Sequence, residues 1–504
     1  MNFGIIRKIL GKFMILLAAL LVLPLIVSLI YQEGLRNYLA YAIPSVSLFI
    51  LGHLINVKKL KSSKMLVREG MIIVGLSWIV MSLFGCIPFI ITGDIPNFFD
   101  AFFEMASGFT TTGASIVPSD KVESLCRSVQ FWRSFSHWIG GMGVLVFILA
   151  IIPESKEGST LHILRAESPG PQVGRLVSKM AKSSRILYLI YIFLTAAEFL
   201  LLLFGPDSQM NIYVNPESGI FNSLIYSIGT AGTGGFGIHS AGFAAFTPYT
   251  QYVVSIFMII FGINFTMFYF ILIRNFKDVF KNTELKVYIS VLVISILSIS
   301  LNLFYTMHEV FNDWEFTFRT ALFQVAAIIS TTGYSSFDFN TWPALSKIII
   351  LILMCFGACA GSTAGGLKLS RVIILFKSMV SKVKRMVRPR KVDTIYMDGK
   401  PLSSDTIESV SSYFVVYIII FVVCTILISI YNPGMKLDIE TSFTASFTCL
   451  NNVGPGLGLV GPSGSFAGFS DFSKFVLTIE MIAGRLELFP ILLLFSPNMW
   501  RKRN

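Results

Sequence analysis

The sequence predicts an all-α polytopic membrane protein: four helix, pore-loop and helix repeats around one pore, preceded by an N-terminal helix pair. Two observations lead there. The chain is 54% hydrophobic and only 13% charged, and apolar runs of about 18 residues or more, long enough to cross a bilayer, recur throughout it. Between those runs a small, polar, glycine-containing stretch occurs four times: Phe109-Thr-Thr-Thr-Gly-Ala-Ser115, Gly232-Thr-Gly-Gly-Phe236, Ser330-Thr-Thr-Gly-Tyr334 and Asn451-Asn-Val-Gly-Pro455. Their spacing of roughly 100 to 120 residues suits a repeat of helix, re-entrant loop and helix.

Such stretches cannot continue a helix. Non-helical backbone is tolerated at membrane depth only where protein buries it or where it lines a water-filled path. One such loop is equally an ordinary Gly/Ser/Thr turn outside the membrane, but four in register argue for loops meeting at an axis. Their carbonyls would then replace the hydration shell of a dehydrated cation, as in potassium filters, and glycine permits the backbone angles and close approach required. The candidate ion-binding residues are Thr111, Thr112 and Gly113; Gly232, Thr233 and Gly234; Thr331, Thr332 and Gly333; and Asn452, Val453 and Gly454.

Charge sets the orientation and excludes other classes. The formal charge of +12 is concentrated in alternate inter-helix segments, which is the pattern of cytoplasmic loops and not of nucleic-acid binding. The six Cys lie scattered, with no paired spacing near His, so neither a zinc site nor a disulfide framework is expected. The first apolar run, about 13 to 31, exceeds a signal-peptide core and is read as a retained helix.

In chain order, residues 1–69 hold the helix pair, ending in Lys58, Lys59, Lys61, Lys64 and Arg68, a cytoplasmic marker. Repeat 1 covers 70–184, with an outer helix near 70–92, a short aromatic segment near 97–108 and an inner helix near 128–153. Its acids Asp94, Asp100, Asp120 and Glu123 fall on the external side, where they either concentrate cations or are ordinary loop charge. The inside segment after it carries Lys156, Arg165, Arg175, Lys179 and Lys182. Repeat 2 covers 185–286, with an inner helix near 247–273, and closes on Arg274, Lys277, Lys281 and Lys286. Repeat 3 covers 287–405 and ends in Lys382, Lys384, Arg385, Arg388, Arg390 and Lys391. Repeat 4 covers 406–504, with an inner helix near 472–497 and a terminal Arg501-Lys-Arg503. Ten spanning helices would place both termini inside.

Repeat 3 carries an anomaly in its long inner stretch, Gly357-Ala-Cys-Ala-Gly-Ser-Thr-Ala-Gly-Gly366 followed by Leu367-Lys368. The glycines disfavour helix and predict a break in mid-bilayer, although Gly357, Gly361 and Gly365 at i, i+4 spacing also suit tandem GxxxG packing. The expectation is a gating loop of Gly357, Gly361, Ser362, Thr363, Gly365 and Gly366, held by Lys368. Arg485 adds a charge in an apolar helix, which is costly unless it faces water or a partner. It is either an electrostatic barrier below the filter or a structural pair with Glu487 or a helix end. The four short helices would aim their C-termini, partly negative, at the axis and so favour a cation. Their aromatic starts, such as Phe98-Phe99 and Trp314, are read as packing.

Enzyme chemistry finds no support. Gly232-Thr-Gly-Gly-Phe-Gly237 and Gly456-Leu-Gly-Leu-Val-Gly461 match G-x-G-x-x-G, but neither follows a strand and opens a helix in a βαβ unit. His53, His137, His162, His239 and His308 show no ligand spacing, and no nucleophile, His and acid set is present.

Four motifs carry a family resemblance: Asn451-Asn-Val-Gly-Pro-Gly-Leu-Gly458, Gly361-Ser-Thr-Ala-Gly-Gly-Leu-Lys368, Trp138-Ile-Gly-Gly-Met-Gly143 and Gly484-Arg-Leu-Glu487. Together they resemble the signatures of the TrkH branch of the Trk/Ktr/HKT potassium transporters, over all four repeats. The extra helix pair is similar to that branch and unlike the shorter KtrB branch. The resemblance implies uptake of K⁺ through a channel-like pore, a homodimer in a bacterial inner membrane, contact with membrane lipid, and a cytosolic nucleotide-binding regulatory ring of the TrkA-like kind. No organic cofactor and no nucleic-acid partner is implied. An alternating-access cation symporter remains the alternative, since repeats and broken helices characterise such carriers too.

Overall fold

The computed structural model describes residues 1–58, 67–143, 180–388, 394–433 and 436–500. Lys59, Lys61, Lys64, Lys156, Arg165, Arg175, Lys179, Arg390, Lys391 and residues 501–503 therefore lie outside the described residues, as does the side chain of Lys182. Three helices stand in front: α1 (Phe3–Leu20), α2 (Val22–Ile30) and α3 (Leu35–Asn56). The first two join through Leu21 into one apolar span, Phe3–Ile30. Four similar units follow. The first has α4 (Val67–Gly85), α5 (Ile87–Thr92), α6 (Phe98–Phe109) and α7 (Arg127–Gly141); the second has α8 (Met180–Leu203), α9 (Pro216–Ala231), α10 (Pro248–Phe261) and α11 (Phe265–Leu272), followed by the short α12 (Phe276–Lys281). The third has α13 (Thr283–Thr306), α14 (Trp314–Ile329), α15 (Ala344–Phe356) and α16 (Leu369–Val387); the fourth has α17 (Ser404–Ile430), α18 (Ile439–Asn451), α19 (Asp471–Arg485), α20 (Phe489–Leu494) and α21 (Pro497–Trp500). Between the last two units lies a two-stranded hairpin, β1 (Tyr396–Met397) and β2 (Lys400–Pro401), antiparallel with Tyr396 opposite Pro401.

The four short helices α6, α9, α14 and α18 begin alike. Each is capped by an Asn or Asp side chain, from Asn97, Asn215, Asp313 and Asp438, that accepts first-turn backbone N–H groups, and each has an acid in its first turn: Asp100, Glu217, Glu315 and Glu440. Caps and acids at that end satisfy orphan donors and complement the helix dipole. The opposite, partly negative ends run into the four glycine loops.

The inner helices depart from the expectation of three continuous helices and one break. All four stop after 15, 14, 13 and 15 residues, at Gly141, Phe261, Phe356 and Arg485. In the second unit the chain turns by 91° between α10 and α11, and in the fourth Glu487 and Leu488 adopt left-handed φ values of 56° and 66° before α20. Close approach explains two of these stops. A Cβ on Gly140 would stand 1.8 Å from the Phe109 carbonyl oxygen, and one on Gly484 would stand 2.0 Å from that of Leu450, so each inner helix touches the C-terminus of its own unit's short helix through a glycine. Among the described residues six helices are individually long and apolar enough to span a membrane, and the bent pair makes a seventh. The inner helix expected near 128–153 runs beyond Gly143 into residues outside the described ones, and the breaks after Phe356 and Arg485 leave the inner helices of the third and fourth units short of a span.

Packing closes the units into a ring: α7 lies on α9, α10 on α14, α15 on α18, and α19 returns to α6. The front helices are attached to the first unit, with α1 against α4 and α2 against α7. There Glu33 accepts from the Ser128 backbone N–H at 2.9 Å, capping α7 from another element. Phe103, Phe109, Trp132 and Tyr226 fill the interior, while outer helices such as α17 present Val415, Ile419, Val422 and Ile426 outward. An apolar exterior around a tightly packed polar-bearing centre is the pattern of a multi-pass membrane protein.

Candidate functional site

The four loops share one backbone. Thr111, Thr233, Thr331 and Asn452 have left-handed φ values of 56°, 52°, 56° and 53°, and two residues later Gly113, Gly235, Gly333 and Gly454 have φ of 76°, 87°, 78° and 104°. Between them, the N–H of Thr112, Gly234, Thr332 and Val453 donates to the carbonyl five residues earlier, at 2.9, 3.0, 2.8 and 3.0 Å. This repetition corrects the register of the second loop. Gly235, not Gly234, is the equivalent of Gly113, and Gly232 falls opposite Thr110 and Ser330 at the helix end. Three glycines within Gly-Thr-Gly-Gly leave the spacing ambiguous until the backbone angles are known.

The loops also meet. A Cβ on Gly113 would lie 2.1 Å from the carbonyl oxygen of Gly234; on Gly235, 2.2 Å from that of Thr332; on Gly333, 2.1 Å from that of Val453; and on Gly454, 2.7 Å from that of Thr112. The sequence of contacts returns to its start, so the four loops form a closed ring in which each glycine makes room for its neighbour's carbonyl. Asn452 reinforces one joint by donating to Thr112 Oγ1 at 2.8 Å and to the Met481 carbonyl at 2.9 Å. On the side facing the short helices' capped ends, the glycines Gly113, Gly235, Gly333 and Gly454 help to line a cavity of about 130 Å³.

Beneath the ring lies the small-residue stretch, and it is an irregular loop, not a GxxxG helix face. Gly357, Gly361, Gly366 and Lys368 all have positive φ, of 61°, 75°, 76° and 68°. Its middle touches two of the four loops: Gly365 N–H donates to Thr331 Oγ1 at 2.7 Å, and a Cβ on Gly365 would meet the Asn451 carbonyl oxygen at 2.6 Å. Thr363 donates to the Phe261 carbonyl at 3.2 Å, and the Gly361 carbonyl accepts from Phe265 N–H at 3.0 Å. Both bonds reach the bend between α10 and α11. Ser362 turns back onto the Cys359 carbonyl at 2.6 Å, and the Lys368 ammonium donates to the Ala364 carbonyl.

Arg485 joins these parts. Its guanidinium donates to the carbonyls of Gly140 and Gly141 at the end of α7, at 2.5 and 2.8 Å, to the Thr363 carbonyl at 2.8 Å, and to Thr111 Oγ1 at 3.1 Å. One planar fork thus spans a helix C-terminus, the small-residue loop and the first glycine loop, geometry that suits guanidinium better than ammonium. Glu487 pairs with the buried Arg371 at the start of α16, whose Cζ also sits 4.1 Å from the Tyr413 ring centroid.

A family model described as TrkH, cation transport protein, matches residues 40–502. The chain belongs to the TrkH family. It is 33% identical over 510 residues to the Trk system potassium uptake protein TrkH of Escherichia coli K12, with each chain fully covered, and 32% identical over 516 residues to its namesake in Salmonella typhimurium, again over the whole of both. The crystal structure of the potassium transporter TrkH from Vibrio parahaemolyticus superposes with a TM-score of 0.84 at 30% identity, covering 99% of this chain and 100% of that one. The family is one of transporters and not of enzymes.

Several supports of this TrkH-family site carried no sequence signal. Glu104, buried, accepts from Arg133 at 2.8 Å and from the Ile116 N–H at 2.9 Å, fixing the strand that leaves the first loop to its own short helix. Tyr226, Gln324 and Thr444 do the same for the Ile238, Ser336 and Leu457 N–H groups, at 3.4, 3.4 and 2.9 Å. One structural task is performed by four different side chains, so no repeat is visible in the residues; the 12 to 13 residue offset alone would have found it. Glu284 accepts from Ala360 N–H at 2.8 Å and Ser370 N–H at 3.0 Å, holding both ends of the small-residue loop. At the ring's capped-helix side, Glu123 of the first unit accepts the N–H and hydroxyl of Ser240 of the second, both at 2.8 Å, and these bonds hold its carboxyl below the usual carboxylate range. Asp100 likewise binds Lys474, tying the first unit to the fourth.

Proposed function

We propose that this chain takes up K⁺ across a bacterial inner membrane through a channel-like pore whose selectivity filter is the ring of four glycine loops. The observation that carries the proposal is the closed cycle of glycine and carbonyl contacts among Gly113, Gly235, Gly333 and Gly454. Carbonyls gathered on one axis, with four partly negative helix ends behind them, select a cation that sheds its water. The relatives' names, potassium uptake proteins of Trk systems, supply the ion. Residues 1–69, 70–184, 185–286, 287–405 and 406–504 form the helix pair and four pore repeats of this reading. K⁺ and Rb⁺ pass and Na⁺ is disfavoured.

The loop Gly357 to Lys368 is the gate in this proposal, supported by its position against Thr331 and Asn451 and by the grip of Arg485 on Thr363. A homodimer and a cytosolic nucleotide-binding ring complete the system; the ring opens the gate by binding the open state more tightly than the closed one. Both termini are cytoplasmic, on the side of Lys277, Lys281, Lys384 and Arg385. Rubidium uptake by the purified protein in liposomes, with Na⁺ as competitor, tests the proposal. Saturable Rb⁺ uptake inhibited by K⁺ and not by Na⁺ is expected; equal passage of Na⁺ refutes the filter.

A further inference from the structure

Three of the four loops carry a side chain between the left-handed residue and the glycine: Thr112, Thr332 and Val453. The second loop has Gly234 there, and it also has Gly232 where the first and third have Thr110 and Ser330. In those two loops the paired hydroxyls bond to each other, Thr110 to Thr112 and Ser330 to Thr332, both at 2.7 Å. The second loop has lost both members of that brace, and a residue of the neighbouring unit occupies the space. A Cβ on Gly234 would stand 1.9 Å from Cγ and 2.2 Å from Cδ2 of His137, and a Cβ on Gly232 would stand 2.4 Å from the His137 carbonyl oxygen.

His137 is built into that position. Its Nδ1 lies 2.8 Å from the Gly108 carbonyl oxygen in α6; a carbonyl only accepts, so Nδ1 carries the proton. The ring also lies against Phe236, centroids 4.3 Å apart, and Arg133, one turn earlier on α7, places its Cζ 4.2 Å from the centroid of that same Phe236 ring. One face of α7 therefore grips the second loop at Gly232, Gly234 and Phe236 while His137 reaches back to the first unit's short helix.

We propose that His137 is a positioning residue for the ion path, supplying from the first unit the brace that the first and third loops make from their own hydroxyls, and that Gly232 and Gly234 are glycines to admit it. This rests on the filter proposed above. The second loop's carbonyls, among them that of Gly234 against Gly113, are then set by the unit 1 to unit 2 joint and not by their own loop.

The test is a double-mutant cycle in the full-length protein, reconstituted in liposomes and read as Rb⁺ uptake against Na⁺ competition, with monodispersity on gel filtration confirming assembly. His137→Ala is expected to leave uptake measurable and to lower the preference for K⁺ over Na⁺ by about threefold or more, and His137→Asn, whose amide can still donate to Gly108, to recover part of it. Gly234→Ala should erode the preference in the wild-type background and add little to His137→Gly, because the obstructing ring is gone. A folded His137→Ala with wild-type preference overturns the proposal, as does a Gly234→Ala effect of equal size in both backgrounds. If no His137 variant assembles, His137 is a folding residue and the positioning role is rejected. Gly333→Ala, in a loop that His137 does not brace, separates the two readings: if it erodes the preference while His137→Ala does not, only this inference fails. A wild type without preference removes the filter and this inference together.

Discussion

Glu487→Gln probes the tie between the small-residue loop and the fourth unit. Arg371 opens α16 just after that loop, Glu487 sits in the break after α19, and their side chains are 5% and 9% exposed. Solvent screening at such burial is slight, so the surface value of an ion pair does not apply. Removing one partner from a buried pair costs about 3–5 kcal/mol, because the other charge is left unpaired. At about 1.4 kcal/mol per factor of ten, that is two to nearly four orders of magnitude in the equilibrium between the tied and released arrangements. Arg371 keeps only the Leu367 carbonyl at 3.2 Å and the face of Tyr413. The variant should therefore melt at lower temperature in detergent and, where it stays assembled, show raised Rb⁺ flux from a loosened loop. Replacing both partners, Glu487→Leu with Arg371→Met, should regain most of the lost stability, since apolar residues of similar volume often replace a buried pair without loss. Stability of the single variant within about 0.5 kcal/mol of wild type, the range of an ordinary surface substitution, would refute the reasoning; so would a double variant no better than the single.

Gly235→Ser and Gly113→Ser should both damage K⁺ over Na⁺ preference, since each forces a left-handed Cβ into a neighbouring carbonyl at about 2 Å and the backbone angle alone costs roughly 1–2 kcal/mol; competition assays on both variants measure it. Arg485→Ala releases three carbonyls and Thr111 and should raise Rb⁺ flux in protein that still elutes as one species, with Arg485→Lys intermediate; lower flux would count against its holding role. Deleting Ala360 to Ala364 removes the Thr363 carbonyl and brings Gly365 out of reach of Thr331, so flux should rise and depend less on a cytosolic partner, and unchanged flux would dismiss the gate. For Glu123, whose carboxyl is held below its ordinary value, the stabilisation is complete above the unfolded value of about 4.3 and disappears as pH falls through the lower folded one. Melting curves of Glu123→Gln and wild type should accordingly differ at neutral pH and converge in acid.

Short-range chemistry makes part of this protein legible in its residues alone. Apolar length identified the spanning helices, and four glycine loops at similar spacing identified the repeat, because a polar interruption in an apolar run has few places to go in a bilayer. The break at Gly357 to Lys368 was legible for the same reason: four glycines in a dozen residues do not propagate a helix. Three features needed the tertiary structure. The register of the second loop depends on φ at Gly235 and on the ring of His137, a residue almost a hundred positions away in the chain. Whether Arg485 meets Glu487 or a helix end was undecidable from spacing; the fork reaches Gly140 and Gly141 while Arg371 takes Glu487. The stops after Gly141 and Arg485 were hidden because spacing does not show where a glycine of one helix meets a carbonyl of another, as Gly140 meets Phe109 and Gly484 meets Leu450 within their own units. Composition records what a residue can adopt; only packing records which neighbour obliges it to.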